Sequence, residues 1–220
     1  GGESHRFSLS GALQHASRFG MTQLNLYTLH TNLALFSNFT YFLDDPVNGD
    51  QFSQVDKRFQ SAMNLSHLWV NRIGGLEVEN TAGIQFQNDV IDNGLLSTKQ
   101  RQTLSTTRKD HINQNSIGLY YQNSIQWLEK FRSVAGVRSD YYWFDVSSHQ
   151  AVNSGKRYDS ITNPKISLIF GPWAQTEFYF NYGGGFHSND ARGTTTTVDP
   201  KSGDPVNRVN PLVRSTGYEV

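Results

Sequence analysis

The sequence contains no cysteine, which excludes a disulfide framework and a thiolate metal site but is compatible with every cellular compartment. It also lacks an excess of either charge. Lys plus Arg and Asp plus Glu are both 19, the formal net charge is zero, and no basic run of the kind that tracks phosphates occurs. Nucleic acid is therefore not an expected partner. No run of about eighteen apolar residues offers a helical span, and no signal peptide precedes Gly1-Gly2-Glu3-Ser4. A membrane role would have to be carried by strands. The missing signal, with Val220 inside a new strand, predicts an excised portion of a longer protein.

Hydrophobic residues make up only 36%, yet aromatic residues reach 13% and glycine 19 of 220. Disordered chains are poor in aromatics, so this composition predicts a folded, sheet-rich chain. Tight turns are predicted at Arg18-Phe19-Gly20, Arg72-Ile73-Gly74-Gly75, Leu128-Glu129-Lys130 and Gly171-Pro172-Trp173-Ala174, roughly every fifty residues. Long stretches rich in Asp, Asn, Ser, Thr and Gly lie between them. Short turns on one side and long loops on the other, joined by segments alternating with period two, predict an all-β, antiparallel transmembrane β-barrel segment.

About eight strands are expected, with a ninth starting near Gly217. The first covers Phe7 to Ala16 and the second Thr22 to Leu43, with apolar residues such as Tyr27, Leu29, Leu33 and Leu35 mainly on odd positions. After a loop from Asp44 to Asp50, the third covers Arg58 to Val70. The cleanest alternation follows Gly75: Leu76, Val78, Ala82, Ile84 and Phe86 on one face, and Glu77, Glu79, Thr81, Gln85, Gln87 and Asp89 on the other. Lipid outside and a wet lumen inside require this contrast. Asn88 to Asp110 reads as a surface loop with some strand extension. Strands from His111 to Trp127 and from Phe131 to Val146 come next, then a loop from Ser147 to Asn163. Strands from Pro164 to Phe170 and Glu177 to Gly185 precede a last long loop, Phe186 to Pro211.

Trp69, Trp127 and Trp173 lie in or near tight turns, as expected for an aromatic girdle at one interface. The cluster Tyr141-Tyr142-Trp143-Phe144 falls about ten residues from its turn, near the reach of a tilted strand to the opposite interface. A soluble sandwich would seldom alternate tight and long connections so regularly.

No catalytic residue is identified. His187 and Ser188 are adjacent, so in an extended strand they face opposite sides and cannot act as base and nucleophile. The histidines His5, His15, His30, His67, His111, His149 and His187 show no ligand spacing, and no metal or cofactor is implied. Gly183-Gly184-Gly185 reads as a strand kink or a close inter-strand contact. Arg138 and Asp140, one strand repeat apart, can meet on a lumen-facing surface. Arg157, Tyr158 and Arg192 could meet a solute from outside, but no spacing singles out a ligand-binding residue.

Phe36-Ser37-Asn38-Phe39-Thr40-Tyr41-Phe42, Ala135-Gly136-Val137-Arg138 with Asp140-Tyr141, and Asn163-Pro164-Lys165 running into Ser167-Leu168-Ile169-Phe170 resemble TonB-dependent outer-membrane receptors. Thr176-Glu177-Phe178-Tyr179, Gly185-Phe186-His187-Ser188-Asn189-Asp190-Ala191-Arg192-Gly193 and Pro211-Leu212-Val213-Arg214-Ser215 through Gly217-Tyr218-Glu219-Val220 continue the likeness in order. The resemblance implies residues 1–220 of a plugged barrel of about 22 strands, with the plug, the TonB box and the C-terminal strands outside the sequence. It implies a Gram-negative outer-membrane location. Its expected partners are outer-membrane lipid, the plug of the same protein, TonB and a scarce solute such as a siderophore, cobalamin, metal or oligosaccharide. A passive porin-type channel is the alternative that the barrel pattern alone leaves open, followed by a barrel enzyme.

Overall fold

The computed structural model describes all residues from Gly1 to Val220. One nine-stranded antiparallel sheet runs in sequence order: β1 (Gly2–Ser17), β2 (Gly20–Ser37), β3 (Phe52–Ile73), β4 (Leu76–Lys99), β5 (Gln102–Leu128), β6 (Phe131–Ser148), β7 (Gly155–Trp173), β8 (Thr176–Ser188) and β9 (Leu212–Glu219). A 3-10 turn, Ala151–Asn153, and a short helix α1, Ala191–Thr195, lie in connections. Tight turns at Arg18-Phe19, Gly74-Gly75, Glu129-Lys130 and Ala174-Gln175 close one end of the sheet. Gly74 and Gly75 both have positive φ, 59° and 84°, matching the mirror-image turn that fits the twist of paired strands.

The register separates the residue classes. One row crosses the sheet as Leu13, Leu24, Leu65, Ile84, Leu119 and Ser139. The adjacent row, one residue away on each strand and hence on the opposite face, reads Ala12, Asn25, Asn64, Gln85, Gly118 and Asp140. The first face is the apolar one, on which the large hydrophobic side chains Leu13, Leu119 and Tyr121 are exposed. At its turn end Phe131 stacks on Phe170 with ring centroids 4.8 Å apart, and Trp173 lies 6.2 Å from Phe178. Towards the loop end, Tyr141, Trp143 and Tyr158 share that face through the Trp143–Tyr158 and Trp143–Asn115 pairs. From Trp127 to Asn115 the strand advances ~40 Å, or ~30 Å along the normal of a sheet tilted by about 45°, which is the thickness of the hydrocarbon core.

Several boundaries differ from expectation. Asn88 to Asp110 is not a loop: β4 and β5 stay paired up to Lys99 and Gln102, with only Gln100-Arg101 between them. Period-two contrast fades there because water replaces lipid on the outer side, while the backbone ladder needs no such contrast. Ser147 to Asn163 is likewise mostly strand, with β7 starting at Gly155, and β8 runs through Phe186 to Ser188. In contrast, β2 stops at Ser37 instead of reaching Leu43. Side chains there capture the backbone: Asn38 Oδ1 accepts the Tyr41 N–H at 2.8 Å, and the Asp50 carboxylate accepts those of Leu43, Asp44 and Asp45. The odd-numbered apolar residues of β2 share the polar face with Asn64 and Gln85. The aromatic cluster also divides, with Tyr141 and Trp143 on the apolar face and Tyr142 and Phe144 on the polar one.

At Gly183 the β7–β8 ladder ends. A Cβ on Gly184 would lie 2.7 Å from Asn163 Oδ1, so the glycine run permits close inter-strand approach. It lets Phe186 turn its ring to Tyr142, 5.9 Å away.

Arginine in place of Ile84 is expected to cost about 2–4 kcal/mol of stability, and much less in place of Gln85, because only the first side chain meets hydrocarbon. The fraction of folded protein recovered in outer-membrane preparations measures this. Equal losses would contradict the two-face assignment.

Candidate functional site

The polar face carries charges that a lipid-facing wall could not hold. Asp140, 2% exposed, receives Arg138 Nε at 2.8 Å and Nη2 at 2.7 Å. A Cβ on Gly118, the cross-strand neighbour of Asp140, would lie 2.3 Å from Arg138 Nη2, so glycine leaves room for the guanidinium. Asp89, 4% exposed, has no cationic partner but accepts Gln60 Nε2 and Gln87 Nε2, both at 2.8 Å. Asp110, also nearly inaccessible, is bonded by Arg108. Burying an unpaired carboxylate would cost several kcal/mol; Asp140 and Asp89 have a donor on each oxygen, whereas Asp110 is paired with Arg108 through Oδ2 and its buried Oδ1 has no partner.

Nearer the loop end, the polar face becomes apolar over a small area. Ile91, Ile112, Phe144 and Val146 form a buried cluster, and Ala191 of α1 completes it. The β8–β9 connection therefore folds inward onto this face. Between it and the wall lies a cavity of about 250 Å³, lined by Asp56, Arg58, Asp89 and Gln114 on the strands and by Ser188 and Arg192 above. A second cleft of about 400 Å³ lies lower on the wall, beside Asn64, Gln85, Arg138 and Tyr142. This combination of fixed charges, amides and aromatic rings suits a polar ligand or a polar protein surface, not lipid.

The residues singled out in the sequence distribute accordingly. Arg138 and Asp140 meet. Arg157 and Arg192 tie the folded-in connection to the wall from opposite sides, Arg157 of β7 donating from Nη1 to Thr194 O at 3.3 Å and Arg192 of the connection donating to Asn93 of β4. Tyr158 points to the opposite face and is exposed. Among the histidines, His67 Nδ1 lies 2.7 Å from Thr22 Oγ1 and His111 Nδ1 lies 2.8 Å from Asp92, both on the apolar side of the register. The Arg108–Asp110 pair had a readable signal, the same two-residue spacing as Arg138–Asp140. It was obscured because it falls in the stretch read as a loop. The Asn153 contacts described below have no local signal.

Loop carboxylates are held ionised. Burial opposes charge on Asp190, but hydrogen bonds from the Arg192 guanidinium and backbone N–H outweigh it and lower its pKa. Desolvation likewise opposes charge on Asp50. The Thr40 hydroxyl and the Asp44, Asp45 and Leu43 N–H groups prevail and bring it below the ordinary carboxylate value. A depressed folded-state pKa stabilises above the unfolded value of about 3.9 and stops stabilising as pH falls through the folded value. The 38–51 connection should therefore resist proteolysis at neutral pH and open only below about pH 4. Asp50→Asn should make it cleavable at neutral pH, and unchanged cleavage in that variant would remove Asp50 as its organiser.

A family model described as TonB dependent receptor-like, beta-barrel matches residues 1–220. The ferric preacinetobactin receptor BauA from Acinetobacter baumannii is similar in structure, with 12% identity and a TM-score of 0.70 over 98% of this chain and 34% of that one. The ferric citrate transporter FecA in its unliganded form shares 12% identity and a TM-score of 0.70 over 83% of this chain and 27% of its own. For the copper transporter OprC the identity is 14% and the TM-score 0.67, over 91% and 33%. The chain thus spans about a third or less of each of these proteins. No curated protein sequence matches it.

Proposed function

The chain belongs to the TonB-dependent receptor β-barrel family, whose members are transporters of the Gram-negative outer membrane and not enzymes, and from that membership we propose that residues 1–220 form part of the wall of a receptor importing a scarce solute with energy relayed by TonB. The observation that carries this reading is the family match over the whole chain, joined to a sheet with one lipid-compatible and one charged face. The turn end faces the periplasm and the loop end the exterior. The strands β1 and β9 each pair on one side only. Further strands of the same receptor pair with their open edges, since unpaired backbone groups in hydrocarbon each cost several kcal/mol.

The polar face supplies the lumen. Arg138–Asp140 and the amides around Asp89 meet the plug of the same protein, whose polar surface replaces the water that an open channel would hold. The solute is taken up at the loop end, above the plug.

In the full-length protein, uptake of the solute should be lost in cells lacking TonB and restored when TonB is supplied. Growth on that solute as the limiting nutrient measures it. Undiminished uptake without TonB would replace the receptor by a passive channel.

A further inference from the structure

The β8–β9 connection, residues 189–211, is held inward by contacts of two kinds. Its helix is packed, with Ala191, Thr194 and Thr195 at most 3% exposed and Ala191 seated among Ile91, Ile112, Phe144 and Val146. Its polar atoms are bound by elements far apart in sequence. Arg108 Nη2 donates to Thr196 Oγ1 at 3.1 Å, and Arg157 Nη1 to Thr194 O. Asn153, 1% exposed, uses both ends of its amide: Nδ2 donates to Val198 O at 2.9 Å, while Oδ1 accepts the Thr197 and Val198 N–H groups at 2.9 and 3.0 Å. Gln150 Nε2 adds a bond to Pro200 O at 3.3 Å.

Lids are drawn from the least stable parts of a fold, where few apolar groups are buried and backbone bonds face water. Residues 191–198 have the opposite character. Opening them would expose the Ile91–Val146 cluster and take from Asn153 Oδ1 and Arg108 Nη2 their hydrogen-bond partners in one step. We propose that residues 191–198 are a fixed shelf across the loop-end mouth, which limits the size of what reaches the wall cavity beside Asp89 and Gln114 and does not open during uptake. This proposal rests on the receptor reading above only for its orientation and for the solute.

Two experiments in the full-length protein test it, and the labelling readout needs no knowledge of the solute. A Cβ on Gly155 would lie 3.9 Å from Thr195 Cβ, within the range that a disulfide spans, and this chain has no cysteine of its own to interfere. Gly155→Cys with Thr195→Cys therefore locks the shelf to β7. In the second experiment, Gln114→Cys on whole cells is treated with a small impermeant maleimide and with a polyethylene-glycol maleimide. The large reagent should react about tenfold more slowly than the small one, with or without the lock, because no opening event admits it. Replacing residues 191–208 by a short Gly-Ser linker should bring the two rates together. A size ratio unaltered by that replacement, or a ratio that rises only when the disulfide forms, would overturn the fixed shelf. TonB-dependent growth with the disulfide oxidised should match growth with it reduced; growth lost on oxidation and regained on reduction would make the segment a moving lid. Growth independent of TonB in both states would sink the receptor reading and leave the labelling result standing.

Discussion

The structure depends on a requirement of the main chain: within hydrocarbon every N–H and C=O must find a partner in the protein. Of 151 backbone–backbone hydrogen bonds, 135 lie within helices and strands, so the ladder supplies most of the main chain's pairing. Neighbouring strands are always consecutive in sequence, and each pair is closed by its own hairpin. With the backbone satisfied in the sheet plane, the two faces are free to differ completely. Leu119 and Gly118 are adjacent in sequence, yet one meets the apolar row and the other makes room for Arg138.

That freedom explains how strongly charged residues occur in the middle of membrane-length strands. Not all of their pairs carry equal weight. Lys156–Asp145 has side chains roughly half exposed, and such a pair contributes ~0–1 kcal/mol. Removing one partner of a fully buried pair costs ~3–5 kcal/mol, mainly because the other charge is stranded. Asp140 approaches that limit, whereas the Arg138 side chain is 37% exposed, which places the pair towards the lower end. The inner charges thus hold the wall in one conformation, while the outer ones mark where lipid gives way to water.

The fold was legible in the sequence wherever two different solvents lay on the two sides of a strand. From Leu76 to Asp89, lipid and a wet interior impose period two, and the expected faces agree with the observed rows. The tight turns were legible for a related reason, since Gly74-Gly75 interrupts an otherwise continuous pattern. Beyond the membrane the same strands continue, but both faces tolerate polar residues, so β4 and β5 between Asn88 and Asp110 looked like loop. The error at Phe39 to Leu43 had another origin. Apolar residues suggested strand there, but Asn38 and Asp50 supply hydrogen bonds that compete with the ladder.

The inward-folded connection illustrates a deeper limit. Its anchors join Arg192 to Asn93, Thr196 to Arg108 and Val198 to Asn153, pairs that no local period links. Each residue alone is an ordinary loop or strand polar residue. Their meaning arises only after the ladder has brought β4 through β7 side by side and turned Asn93, Arg108 and Arg157 to one face. The site is therefore built in two stages: alternation decides which side chains look inward, and the three-dimensional register then decides which of them can bind the same returning segment. Composition helps the second stage only weakly. In the run Thr194-Thr195-Thr196-Thr197 the first three residues are buried, beside an Ala191 seated in the Phe144 cluster and with Thr196 accepting from Arg108, surroundings that neither a purely apolar nor a charged segment would satisfy.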